Sequence, residues 1–370
     1  MKIGIITFHN SYNCGSMLQT FALHNVLKKY GLNNEIIDFS NEGQKNVYNI
    51  FCKINNIKAI AKNLITLLCY FRLKANNASY ENFKHKHFTL SNRAFISKEE
   101  LSDEEYDIVI AGSDQIWNIT IEDGDDAYFL PWVKQAKKIA YAPSFGARDI
   151  AKYTNDKQRY IDYLNSFSYL SIREKNGQTW LKQLLNKDVQ ILLDPTLLLD
   201  ADEYDKILEE CQVPEKYIFY YAPGYDKSIN KLVEEVSKKY SLPVIAFNTK
   251  SYFWKGMFFS NFKLPSIENP AVYLYLIKNA SIIFTTSFHG SIFSSIYRKC
   301  FWTIKNGEMF GDDDRVLSLF SSLALDEHLI DLEFNVDFDY LKCISYNSFE
   351  EKLQVLRKQS LTFLQTALFD

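Results

Sequence analysis

A histidine late in the chain is the residue best placed to do chemistry. His289 lies in the run Ala280-Ser281-Ile282-Ile283-Phe284-Thr285-Thr286-Ser287-Phe288-His289-Gly290-Ser291. Ile282 to Phe284 reads as a buried parallel strand. It stops in small polar residues, and a segment with helical spacing at Ile292 and Ile296 follows. The imidazole therefore sits at the carboxyl end of a strand, the edge at which open α/β sheets gather ligands. It is also the side chain most easily poised to move a proton near neutral pH. The competing use is structural, a buried ring that satisfies the backbone of the turn.

Groups able to bind an anion cluster at similar places. Arginine is scarce against lysine, which narrows the choice of bidentate forks. Arg173 follows the strand Ser168 to Ile172 and suits a carboxylate or phosphate; the alternative is an ion pair with Glu174 or a nearby Asp. Lys305 follows the strand Phe301 to Ile304 and is expected at the same sheet edge. Arg315, in Asp-Asp-Asp-Arg-Val, either binds an anion across a cleft or pairs with Asp312 to Asp314. Gly290 and Ser291 open a helix and could offer amides to an anion. Gly112-Ser113-Asp114-Gln115 forms a polar turn after a strand. Asp114, Gln115 and Ser113 could hold hydroxyls, unless Asp114 caps the next helix. Asn13, Gly15 and Gln19 are expected to face the same cleft.

Other residues point elsewhere. Trp117 could stack on a ligand ring but reads first as core. His9 and His24 have no evident partner. His85 and His87 form an HxH without carboxylates and read as solvated surface, so no metal is implied. Cys14 has no paired base and is a poor nucleophile.

These residues need a scaffold of alternating strands and helices. Lys2 to Phe8 is a strand, Met17 to Tyr30 a helix closed by Gly31, and Glu35 to Phe39 a second strand. That opening starts a doubly wound domain. Tyr106 to Gly112, Lys138 to Ala142, Ser168 to Ile172 and Val189 to Leu193 continue it, each ending in a polar turn. A second series runs from the strand Tyr217 to Ala222 through Pro243 to Asn248 and Ile282 to Phe284. The fold class is α/β, with two Rossmann-like domains of parallel sheets and flanking helices facing across a cleft. The expected boundaries are 1–200, with a helical insertion at about 45–90; 201–345; and a helix at 346–370 packing back toward the first domain. The cationic stretch Ile54 to Leu73 reads first as packed insertion and second as an interfacial helix at a membrane.

Composition bounds the function. A 370-residue chain suits two domains. Its charged and apolar fractions, 24% and 47%, are those of a globular protein. A net charge of −3 gives no basic field for nucleic acid. The six cysteines are scattered, which argues against a disulfide framework or zinc site. The start, MKIGIITF, enters a strand without a leader-like apolar region. The expectation is a reduced, cytoplasmic protein, with association at the inner membrane face left open.

Six strings resemble the polysaccharide pyruvyl transferase family, in order along nearly the whole chain. They are SYNCGSMLQTFAL, AGSDQIWN (Ala111 to Asn118), YAPSFG (Tyr141 to Gly146), LSIREKNG (Leu170 to Gly177), LLDPTLLL (Leu192 to Leu199) and YLIKNASIIFTTSFHG (Tyr275 to Gly290). The resemblance implies a GT-B-like fold. It implies transfer of a pyruvyl group from phosphoenolpyruvate to two hydroxyls of a sugar, forming a ketal on a cell-surface polysaccharide or its lipid-linked precursor. No cofactor is implied beyond phosphoenolpyruvate as co-substrate. His289 would then be catalytic, Arg173, Lys305, Gly290, Ser291 and Arg315 would bind the donor, and Asp114, Gln115, Ser113, Asn13 and Gln19 the acceptor. One departure stands out. Some members carry Arg-Leu before the histidine, where this chain has Ser287 and Phe288, so an arginine's work there is absent or supplied elsewhere. The rival readings are a sugar-nucleotide-dependent glycosyltransferase, for which Glu308 is the candidate ribose contact, and an inactive sugar-binding relative.

Overall fold

The computed structural model describes residues 1–305, 313–342 and 344–370. The first sheet contains β1 (Lys2–Ile6), β2 (Asn33–Ile36), β3 (Ile108–Ala111), β4 (Lys137–Ala140), β5 (Tyr169–Ile172) and β6 (Gln190–Ile191) in the order β2-β1-β3-β4-β5-β6. The second contains β7 (Ile218–Tyr221), β8 (Val244–Phe247), β9 (Ile282–Thr285), β10 (Phe301–Ile304) and β11 (Leu329–Ile330) in the order β11-β10-β9-β7-β8. Every pairing is parallel. The expected α/β class with two parallel sheets is what the chain forms. β11 was not anticipated, because two residues at a sheet edge leave no apolar run to read.

Alternation along the strands explains the layering, since successive side chains leave opposite faces of a sheet. Ile3, Ile5, Ile108 and Ile110 enter a central core that also takes Phe219, Tyr221, Ile245, Phe247 and Ile283 from the second sheet. Ile6, Val109, Ala111 and Ala140 point the other way into an outer core. Ile218, Tyr220, Val244, Ala246 and Phe284 fill the outer core of the second sheet. Both faces of both sheets are therefore buried, which is why the strands read as unbroken apolar runs.

Four helices matter for the site. They are α1 (Cys14–Lys29), α2 (Glu42–Tyr48), α3 (Ile57–Leu67) and α4 (Tyr70–His87). α1 begins at Cys14, before the expected Met17, because Asn13 caps it: its Oδ1 accepts from the amides of Gly15 at 2.9 Å and Ser16 at 3.4 Å. α4 bridges the two sheet units. Asn76 donates to Glu268 Oε2 at 3.0 Å, and its own Oδ1 accepts from the Glu268 amide at 3.0 Å. The last helix, Asn347–Phe369, lies against the first sheet unit: Ser360 Oγ accepts from the Leu193 amide at 3.0 Å and Arg357 Nε donates to Leu197 O at 2.7 Å. Among the described residues no helix is long and apolar enough to cross a membrane.

Candidate active site

The two sheets share one winding order, and each reverses direction beside its first strand. In the first the switch lies between β1 and β3; in the second it lies between β7 and β9. The loops leaving such strands diverge and open a crevice at their carboxyl ends. Here the two crevices face each other. A cavity of ≈ 490 Å³ between them is lined by Asn13, Asp114 and Gln115 from one side and Pro223, Gly224, Thr286, Ser287 and His289 from the other. Tyr48, Asp123, Arg173, Tyr221, Asp313 and Arg315 complete its titratable lining.

His289 stands in the first turn of the helix Phe288–Ile296, which Ser287 caps through Oγ and the Gly290 amide, 3.3 Å apart. The residue is 8% exposed and lines the cavity. Its Nε2 is 3.4 Å from Asp194 Oδ2, an ion-pair distance whose geometry does not make a hydrogen bond. On the ring's other edge Gly15 approaches so closely that a Cβ there would lie 2.2 Å from Nδ1. Asp194 follows β6 and is buried. Its Oδ1 accepts from Thr196 Oγ1 at 2.7 Å and its Oδ2 from Arg173 Nη1 at 2.6 Å. Burial works to raise its pKa, but the charge of His289 and then of Arg173, with the Thr196 hydroxyl, outweighs burial. The carboxyl is held well below the usual carboxylate range and stays ionised.

Arg173 is the best anion ligand in the cavity. Nη1 is committed to Asp194, while the buried Nε and Nη2 have no hydrogen-bond partner among the described residues. Nη2 lies 3.8 Å from Asp114 Oδ1, and the guanidinium sits 4.5 Å from the centre of the Phe288 ring. Buried donors of this kind are rarely left unmatched, so the fork is suited to an incoming carboxylate or phosphate. Position 287 carries the cap residue, and Arg173 brings a guanidinium to Phe288 from the other sheet unit. Arg315 also lines the cavity, but Asp313 already takes it bidentately at 2.7 and 2.6 Å. Asp312 lies outside the described residues, as does Glu308.

Asp114 and Gln115 reach the cavity. Asp114 accepts from Ser16 Oγ at 2.5 Å through Oδ2 and from the Gln115 amide at 2.8 Å through Oδ1. Asn13 lines it while capping α1. The other expected contacts are corrected. Ser113 turns inward: its Oγ donates to Ala142 O at 2.5 Å and its amide to Gln19 Oε1 at 3.0 Å. Gln19 is fully buried and ties Thr7, Ser16 and Thr20 together. The Gly290 amide is used by the Ser287 cap, and Ser291 is fully buried with Oγ 2.7 Å from Thr303 Oγ1. Lys305 pairs with Asp331 at 3.3 Å and is not part of the lining. β10 is one strand removed from the switch, so its end falls short of the crevice.

The remaining residues find structural work. Trp117 is core, stacked on Phe129. His9 meets Asp38 at 2.9 Å and His24 meets Asn34 at 2.5 Å. His87 is half-buried against Phe83, unlike the solvated surface expected of it, while His85 is exposed. Burial pushes the Cys14 thiol far up, which makes it inert.

Three groups at the site were missed from the sequence, two of them in the cavity lining and one, Asp194, behind it. Asp194 stands in the quoted string LLDPTLLL, and only its strand-end position hinted at a role. Tyr48 comes from the insertion. Asp123 lies in an irregular segment, where burial, with Asp114 and Glu122 adding, pushes its carboxyl up to about 6. A larger cavity of ≈ 1090 Å³ shares Arg173 and Phe288 with it and reaches Asp194, but runs along the β6 edge and has no imidazole in its lining. The smaller cavity therefore has the stronger claim to chemistry.

A family model described as polysaccharide pyruvyl transferase matches residues 13–308. No match is found among curated proteins. Among solved structures the chain is similar to the UDP-GlcNAc 2-epimerase of Neisseria meningitidis bound to UDP-GlcNAc, at 11% identity over 99% of this chain and 100% of that one, TM-score 0.47. It is similar to the UDP-N-acetylglucosamine 2-epimerase of Rickettsia bellii at 12% identity over 99% and 96%, TM-score 0.48. It is also similar to the E. coli heptosyltransferase WaaC with ADP at 11% identity over 96% and 100%, TM-score 0.41. Scores this low carry no weight, and the fold rests on the two sheets themselves.

Proposed function

The chain belongs to the polysaccharide pyruvyl transferase family, and on that premise we propose that it transfers the pyruvyl group of phosphoenolpyruvate to two hydroxyls of a sugar, on a polysaccharide or a lipid-linked precursor. The observation that carries this reading is that His289 and Arg173, which both line the cavity between the two switch points, meet one buried carboxylate, Asp194, behind that lining.

The atoms balance as follows. The enol methylene of the donor gains a proton and becomes a methyl group. The adjoining carbon loses the bond to phosphate and gains bonds to two sugar oxygens. The two hydroxyl protons end on the methyl group and on the released phosphate. His289 is the group that gives a proton to the methylene and recovers one from a sugar hydroxyl; a positioned acid–base contributes roughly 10²–10⁴-fold. Asp194 is a positioning residue. Its ionised carboxyl orients the imidazole and stabilises the protonated ring. Arg173, with two donors unpartnered among the described residues, holds the donor's carboxylate or phosphate. Asp123, whose carboxyl burial pushes up to about 6, is a further group able to exchange a proton, and it lines the cavity together with Asp114 and Gln115.

A thermal-shift comparison tests the reading without an identified acceptor. Phosphoenolpyruvate should raise the melting temperature and a panel of nucleotide sugars should not. Stabilisation by nucleotide sugars alone would favour the glycosyltransferase instead.

A further inference from the structure

We propose that the outward face of α3, continued by Phe71 and Phe259, docks the protein on an anionic lipid surface; this goes beyond the proposed reaction and does not depend on it. α3 is turned the opposite way from an ordinary surface helix. Its buried residues are Ala59 and Thr66. Ile57, Leu64, Leu67 and Leu68 are exposed by 84%, 62%, 69% at position 68 and 58% at position 67. With about 3.6 residues per turn, these four and Ile60 share roughly one third of the helix circumference. A globular protein normally puts such a stripe against its core, and a contiguous exposed one marks an interaction site.

The helix is firmly held in this orientation. Trp254 Nε1 donates to Thr66 Oγ1 at 2.9 Å, and Lys62 sits 4.5 Å from the centre of the Trp254 ring. Asn63 bonds the Cys52 amide at 2.8 Å and the Cys52 carbonyl at 2.9 Å. Phe71 at the start of α4 is 84% exposed, and Phe259, just beyond the Thr249–Trp254 helix that supports α3, is 87% exposed.

Charge identifies the occupant. Residues 51–80 contain Lys53, Lys58, Lys62, Arg72 and Lys74 and no Asp or Glu. Residues 249–266 add Lys250, Lys255 and Lys263, again with no acid. The chain as a whole is at −3, so this is a local concentration of one sign. A second copy brought against this face would set cations against cations. Anionic headgroups would neutralise them while the apolar arc enters the boundary with the acyl chains. A second cavity, lined by Tyr48, Phe51 and Tyr70 among others, lies between the reaction cavity, which Tyr48 also lines, and the root of this face.

Vesicle sedimentation tests the proposal, using equal parts of phosphatidylglycerol and phosphatidylcholine against phosphatidylcholine alone. The full chain should pellet with the anionic vesicles and be released by salt. Lys58→Glu/Lys62→Glu should lower the partition about tenfold or more. Leu64→Glu/Leu67→Glu should lower it likewise, with an unchanged circular dichroism spectrum because these side chains are exposed. Binding to anionic vesicles no stronger than to phosphatidylcholine would overturn the proposal. So would light scattering that shows a dimer split by Leu64→Glu/Leu67→Glu.

Discussion

Gly15 and His289 come from opposite sheet units and touch, so that a Cβ at position 15 would stand 2.2 Å from Nδ1 and 2.9 Å from Cβ of the histidine. Rotating the ring cannot relieve the second overlap, and the two units would have to shift. Gly15→Ala should cost about 1–3 kcal/mol of stability, as overpacking does, and lower turnover more than tenfold by displacing the imidazole. The urea midpoint and phosphate release, measured on the same preparation, check both parts.

Asp123 lines the cavity with its carboxyl pushed up to about 6, mainly by burial. It is protonated below that pH and ionised above it. If it accepts a hydroxyl proton, kcat/KM falls as the pH drops through 6. Asp123→Asn should lower activity and remove that limb from the profile. A limb of unchanged position in the variant would assign it to another group.

Glu174 lies under the site, where Ser144 Oγ donates to it at 3.0 Å and the Phe145 amide at 2.9 Å. Burial pushes its carboxyl from 4.5 up to about 7, against the lowering effect of Arg173 and Arg315. Because the folded state holds this proton more tightly, the contribution to stability is complete below pH 4.5 and is lost as the pH rises through 7. Glu174→Gln stays neutral and should lose less over that window, by up to about 3 kcal/mol. Urea midpoints at the two ends of the window measure the difference; one that is constant with pH would contradict the expectation.

Strand ends were legible because each apolar run stops in a polar turn. That placed His289, Arg173, Asp114, Gln115, Asn13 and Arg315 on one cavity. What one strand-end residue does, as against its neighbour, was not legible. Ser113 and Asp114 are adjacent, yet one points back into the strands and the other into the cavity, and the loop path decides which. Lys305 failed for a topological reason, since its strand is not at the switch. Gly290 and Ser291 failed because Ser287 takes both amides, the first on its hydroxyl and the second on its carbonyl. Asp123 and Tyr48 come from irregular or inserted segments, whose approach to the site depends on long-range packing. The outward face of α3 read as helix, but only burial reveals which side faces water.

The most direct test of His289 is phosphate release from phosphoenolpyruvate, with envelope glycans of the source cell as acceptor, by the native protein and by His289→Ala. The predicted result is a fall of roughly 10²-fold or more at an unchanged circular dichroism spectrum. Near-native release by the variant, with the fold intact, would contradict a role for this imidazole in the reaction.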